Sequence, residues 1–244
     1  WWKPDYTPRT EEAGDLEPIM RSSVELRLRA DVPVGTYLSG GLDSSLTTAL
    51  AKDASDHQLR TFSVAFKDPH FDERGFQHEV AKTLGTDHHV VDVGPEEIAG
   101  AFPDVVWHAE SPLIRTAPVP LYLLAKATRE QGITVVATGE GADELYWGYD
   151  LFKEVVARNA ALADPDNAAD VFADLYPYFE ATGAARGPAW AKFFLEAGPA
   201  DDPLFSHQTR FAATAAVKAF YADDVAQLTA AEDRLGELRA SLPD

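Results

Sequence analysis

The chain has no cysteine among its 244 residues. Disulfides, thiolate zinc sites and a cysteine nucleophile are therefore excluded. Positive charge is scarce: 21 lysines and arginines stand against 40 aspartates and glutamates, for a net charge of -19 and a pI of about 4.6. That balance opposes a nucleic-acid groove and docking on an anionic membrane, so neither partner is expected. It does not oppose a nucleotide, whose phosphates are met locally by a helix end and a metal ion. No apolar run reaches the length of a membrane span and no leader pattern is visible, so a soluble cytoplasmic protein is expected. Neither the Walker spacing Gly-x-x-x-x-Gly-Lys-Ser/Thr nor the nucleophile-elbow spacing Gly-x-Ser-x-Gly occurs. The chain opens on Trp1-Trp2-Lys3-Pro4 rather than Met and is read as a fragment or a processed product.

What is present suffices for a core. Hydrophobic residues make up 45% of the chain, and the length suits one large domain or one and a half small ones. The stretch Val34-Gly35-Thr36-Tyr37-Leu38-Ser39-Gly40-Gly41-Leu42-Asp43-Ser44-Ser45 reads as a buried strand, a tight polar turn and the start of a helix. Ser39, Gly40 and Gly41 carry little bulk, so backbone N–H groups approach a ligand closely. The helix end supplies unpaired N–H groups and the positive end of the dipole, and Ser44 and Ser45 add hydroxyls suited to phosphate oxygens. Asp43 would repel a bare phosphate and so points to a bridging cation. Ser39 to Ser45 resembles the pyrophosphate loop of the N-type ATP pyrophosphatases.

Along the chain, residues 1–14 read as an entry linker. Leu16, Ile19, Met20, Val24 and Leu28 keep helical spacing. Further strands are expected at Leu59–Phe66, His88–Val93 and Ile133–Thr138. Helices are expected from Phe71 to Leu84, Pro95 to Val106 and Pro120 to Glu130, with Gly85 as a C-terminal stop. This alternation predicts a Rossmann-like α/β fold over 15–150, a parallel sheet flanked by helices with right-handed crossovers. Ligands in such sheets bind at the strands' carboxyl ends, where Leu38, Val64 and Thr138 fall. Residues 151–244 are alanine-rich and read as a helical extension, with helices at 149–162, 168–181, 189–196, 206–219 and 222–241. His88 and His89 look like a metal pair, but neighbours in a strand point to opposite faces, so a structural role is expected.

A second polar stretch, Thr138-Gly139-Glu140-Gly141-Ala142-Asp143-Glu144-Leu145-Tyr146-Trp147-Gly148-Tyr149, follows the fourth strand. Three carboxylates so close together repel one another, and a divalent cation with oxygen ligands relieves that repulsion.

Both loops, with Thr61 to Phe66, Leu84-Gly85-Thr86-Asp87-His88-His89 and Ser111-Pro112, resemble in order and spacing the synthetase domain of glutamine-dependent asparagine synthetase. Clear resemblance covers Asp15 to Tyr149, and a weaker segment follows at Asp202–His207 and Arg210. The resemblance implies the adenine nucleotide α-hydrolase-like fold, with ATP and Mg2+ as cofactors. It implies that Ser39, Gly40, Gly41, Asp43, Ser44 and Ser45 hold pyrophosphate. Leu38, Val64, Thr138 and Gly139 would frame adenosine, and Asp43 and Asp143 would hold magnesium. Glu140 would act on the aspartyl-adenylate. Aspartate and ammonia would be the substrates, the ammonia normally coming from glutamine through a glutaminase domain, and a homodimer is allowed. The nucleophilic cysteine that begins that domain is absent. A phosphate-contacting lysine segment and a later glutamate–arginine–proline–phenylalanine stretch are not found before Asp244, so the helical extension is read as truncated. Trp147 stands where the resembling motif usually has a small residue. A β-lactam synthetase or lasso-peptide cyclase-like ligase uses the same adenylation to close a ring; Glu140 favours the asparagine type. A nucleotide-binding fragment without catalysis is the remaining alternative.

Overall fold

The computed structural model describes residues 14–113, 115–167, 215–230 and 233–242, with separate positions at 170, 172, 175, 202, 204, 207, 208, 210 and 211. It divides into two compact units, Trp1–Gly141 and Ala142–Asp244. The expected entry linker and the helices at 168–181 and 189–196 fall largely or wholly outside the described residues.

In the first unit, α1 (Leu16–Leu28) is capped by Asp15, whose carboxylate accepts from Glu17 N. It packs on α2 (Leu42–Asp53), burying Val24 with Leu50, Ala51 and Leu59. Four short strands, β1 (Val34–Tyr37), β2 (Arg60–Phe66), β3 (Asp87–Val93) and β4 (Val135–Ala137), form one sheet in the order β3-β2-β1-β4. All pairs are parallel, with Thr36 beside Thr61 on one side and Ala137 on the other. The expected parallel α/β sheet is therefore what forms. β4 is shorter than expected: Ile133 is buried beneath Phe62 and Leu124, but Ile133 and Thr134 precede the ladder.

The connections explain both faces. From β1 to β3 the chain steps outward through α2 and α3 (Arg74–Leu84). On that side the buried hydroxyls of Thr36 and Thr48 lie 3.0 Å apart, and Thr61 Oγ1 is 2.8 Å from His88 Nδ1. From β3 the chain passes through α4 (Pro95–Ala109) and α5 (Pro118–Glu130) and returns across the sheet to β4. Leu124 of α5 buries Phe62 and Ile133, with Tyr37, Val64, Val91 and Val136 packed around them. Helix α3 begins at Arg74 rather than Phe71, because Asp72 turns its carboxylate onto Arg74 N. Gly85 ends it with φ 65°, as its sequence position predicts. His88 points toward α3, with its ring 5.6 Å edge-on from His78, whereas His89 stacks on Phe62 at 5.3 Å, so the two do face apart.

The second unit is described by itself. It begins with α6 (Ala142–Tyr146) and α7 (Asp150–Ala163). Glu154 and Arg158 of α7 are buried, and Arg210 grips both Glu154 carboxylate oxygens at 2.7 and 3.1 Å. Burial holds the Arg158 guanidinium below its usual pKa, with Glu154 opposing that shift. The single helix expected over 222–241 is instead two, Asp223–Thr229 and Arg234–Ser241, because Asp233 leaves the helical region and caps the second through Gly236 N. Of the helix expected at 206–219, the described residues 207, 208, 210, 211 and 215 are α-helical, and a 3-10 turn follows at Ala216–Phe220.

Candidate active site

The strand order creates a switch point. β1 leads outward toward β2 on one side, and β4 returns against its other side. At such a point the two following loops leave the sheet in opposite directions and open a crevice above the carboxyl ends of the strands. Here those loops are Leu38–Gly41 after β1 and Thr138–Gly141 after β4, both in the first unit.

The first loop is held by its own hydroxyls. Ser39 Oγ and Ser44 Oγ are 2.8 Å apart, Ser39 N donates to Ser44 Oγ at 3.1 Å, and Gly41 N donates to Ser39 Oγ at 3.2 Å. Gly41 is the N-cap of α2 without any side-chain cap, and the first intrahelical bond runs from Ser45 N to Gly41 O. The N–H groups of Leu42, Asp43 and Ser44 therefore have no partner inside the helix. Ser39 and Gly41 are exposed, so this end of α2 faces solvent. Gly40 needs its φ of +86°, and a Cβ there would lie 2.8 Å from Phe76 Cβ and 2.9 Å from Gln77 N. The turn is thus wedged against α3. Ser45 Oγ is buried and has no hydrogen-bond partner among the described residues.

The β4 loop approaches from the other side. A Cβ on Gly139 would fall 2.9 Å from Asp43 Cβ and 3.0 Å from Ser44 N, so only glycine lets the loop lie directly on the first turn of α2. Glu140, the next residue, is exposed. Among the described residues the Asp43 carboxylate forms no hydrogen bond or ion pair, which leaves it available to a cation. Leu38 is buried, with its N–H on Phe62 O at 2.9 Å and its carbonyl accepting from Ser63 Oγ. Val64 sits on β2 with its carbonyl accepting from Gln77 Nε2 at 2.9 Å.

The structure thus brings together Ser39, Gly40, Gly41, Asp43, Ser44, Ser45 and Gly139, with Thr138 and Glu140 next in the chain. Leu38 and Val64 lie on the adjacent strands β1 and β2, near their carboxyl ends. Asp143 belongs to the second unit, in the first turn of α6. Among the described residues no group of three or more His, Asp or Glu is arranged around a metal position. The donor set nevertheless fits a magnesium nucleotide: unpaired helix-end N–H groups, three serine hydroxyls and one carboxylate at a switch point. Sequence reasoning missed Gln77, which is only 2% exposed and ties α3 to the end of β2. Its signal was its place four residues before Ala81 on the buried face of an otherwise amphipathic helix.

The family described as asparagine synthase matches residues 15–237. Asparagine synthetase [glutamine-hydrolyzing] 1 of Bacillus subtilis is 39% identical over 153 residues, covering 63% of this chain and 24% of the relative. Amidase chyE of Penicillium rubens is 38% identical over 190 residues, 69% of this chain and 28% of the relative. Asparagine synthetase B [glutamine-hydrolyzing] of Escherichia coli is 35% identical over 156 residues, 58% of this chain and 28% of the relative. The matched part therefore spans about a quarter of the length of each of these relatives. With the family match running through both loops and most of the chain, this protein belongs to the asparagine synthase family.

Proposed function

We propose that this chain is the nucleotide-activating part of an ATP-dependent ligase that forms a C–N bond. It would adenylate the side-chain carboxylate of aspartate and pass the acyl group to ammonia, giving asparagine, AMP and pyrophosphate. The observation that carries this reading is the contact of Gly139 with the first turn of α2, which sets the β4 loop beside the serine-lined helix end. The β- and γ-phosphates would rest on the α2 N–H groups and on the Ser39, Ser44 and Ser45 hydroxyls, leaving the α-phosphorus toward Glu140. Leu38, Val64, Thr138 and Gly139 would frame adenosine. Asp43 would hold the magnesium ion, which when bound would offset phosphate charge. The aspartate carboxylate attacks the α-phosphorus and pyrophosphate leaves; ammonia then attacks the acyl carbon and AMP leaves. Glu140, at the mouth of the crevice, would act on the acyl-adenylate and take up a proton from the attacking ammonia.

Incubated with ATP, magnesium, aspartate and ammonium, the protein is expected to release AMP and pyrophosphate, resolved by phosphorus NMR. Glu140→Gln should slow this release while leaving ATP affinity close to that of the parent. ADP and phosphate as products would overturn the loop assignment. A second reading rests on the relative named amidase chyE, whose matched span exceeds that of the Bacillus synthetase. In that reading the loop chemistry is the same but the carboxylate acceptor is not aspartate. AMP formed only with another carboxylate would select it.

A further inference from the structure

The parallel ladder between β1 and β2 stops one rung short, and side chains take over its last bonds. Leu38 N donates to Phe62 O at 2.9 Å, so the next rung on this side would run from Gly40 N to Val64 O. That rung does not form. Gln77 Nε2, from α3, donates to Val64 O at 2.9 Å in its place. Gly40 N makes no hydrogen bond among the described residues. Just before it, Leu38 O accepts from Ser63 Oγ and not from Val64 N. The exchange happens where β1 turns into the serine loop. Gln77 also backs that loop, since a Cβ on Gly40 would come within 2.9 Å of Gln77 N.

Stability alone does not account for a glutamine at this position. Gln77 is 2% exposed, and its Oε1 is buried without a hydrogen-bond partner among the described residues. A buried acceptor left unpaired is costly. An apolar side chain on this face of α3, like Ala81 one turn on, would avoid that cost. What the glutamine supplies is one donor at one carbonyl.

We propose that Gln77 is a positioning residue of the serine loop. By occupying the Val64 carbonyl it keeps Gly40 from continuing the ladder. The Gly40 N–H then stays available, beside those at the start of α2, as a further donor to a phosphate oxygen. Gln77 acts through the loop backbone and does not itself touch the nucleotide. The proposal rests on the reading of this loop as the pyrophosphate site.

Gln77→Met keeps the length of the side chain but removes the donor. Hydrogen exchange of the Gly40 amide is followed by NMR in the full chain. It is expected near the rate of an unpaired amide in the parent and at least about tenfold slower in Gln77→Met, as the freed Val64 carbonyl draws Gly40 N into the ladder. Mg-ATP affinity, by calorimetry, should fall at least about tenfold. The unfolding temperature should stay within about 3 °C of the parent, because losing the bond at Val64 is offset by removing the unpaired Oε1. A merely structural glutamine would do the reverse: its loss would lower the unfolding temperature and leave Gly40 exchange and the affinity of the folded protein unchanged. Gln77→Leu repeats both measurements if the methionine variant folds poorly. Unchanged Gly40 exchange, or unchanged Mg-ATP affinity beside slowed exchange, would overturn the proposal. If the parent itself bound no Mg-ATP, the nucleotide reading would fall, and Gly40 exchange would still decide whether Gln77 holds the loop off the ladder.

Discussion

Replacing Gly139 by alanine tests whether the close approach of the β4 loop to α2 makes the site. The added Cβ would sit 2.9 Å from Asp43 Cβ and 3.0 Å from both Asp43 C and Ser44 N, against at least 3.4 Å for an ordinary contact. Loop or helix end must therefore retreat by about half an ångström, and the obstacle is backbone rather than a flexible side-chain tip. Overpacking of this kind costs about 1–3 kcal/mol, and each kcal/mol lowers the unfolding temperature of a chain this size by about 2–4 °C. A helix-end N–H displaced by the same amount moves from about 2.9 Å to the edge of hydrogen-bonding range of its phosphate oxygen. Losing one such charge-assisted bond, about 1.5–3 kcal/mol, weakens Mg-ATP binding by about ten- to a hundredfold. Isothermal titration with Mg-ATP, alongside thermal unfolding, measures both effects. Gly35→Ala is the control, since its Cβ would meet Arg60 O, the Phe62 ring and the Ile133 side chain at 3.1–3.2 Å. It should lower stability while leaving Mg-ATP affinity within about twofold, because independent sites add. If Gly139→Ala binds Mg-ATP as tightly as the parent, or if Gly35→Ala weakens it equally, the close approach does not make the site.

Three further expectations follow from single contacts. Asp43→Asn keeps shape but removes a carboxylate oxygen, and should weaken ATP binding with magnesium far more than without it; equal losses in paired titrations would remove Asp43 from the metal. Ser44→Ala severs the links from Ser44 Oγ to Ser39 N and Ser39 Oγ, so it should cost about 1 kcal/mol or more in chemical unfolding and weaken pyrophosphate binding, whereas Ser44→Thr should restore much of both. Burial, reinforced by His78 and His89, lowers the pKa of His88 below its ordinary value of 6.5. The folded protein therefore binds fewer protons than the unfolded chain in this range, and stability should fall as pH drops from about 6.5 toward the lowered folded value, then level off. His88→Asn, which keeps a polar atom near the Nδ1 position facing Thr61, should flatten that slope in melting curves; an unchanged slope would assign the titration to another group.

What the sequence determined alone was local. Val34 to Ser45 is legible as strand, turn and helix because Gly40, Gly41 and clustered hydroxyls specify a backbone path within a few residues. The apolar runs of β1 to β3 and the periodicity of α1 show through for the same reason: each is set by burial of near neighbours. The helix expected over 222–241 is broken into two because capping by Asp233 outweighs the propensity of the residues around it. Trp147 in a left-handed turn left no signal beyond its unusual place in the motif, since nothing local favours a bulky residue there. The tertiary structure decided which strands are neighbours. β4 could have joined either edge of the sheet; its place beside β1, where Val136 joins the cluster around Phe62 and Leu124, is chosen by burial across residues far apart in the chain. That choice alone sets Gly139 against Asp43 and turns two separate loops into one crevice, because the contact depends on strand order and not on any property of either loop by itself.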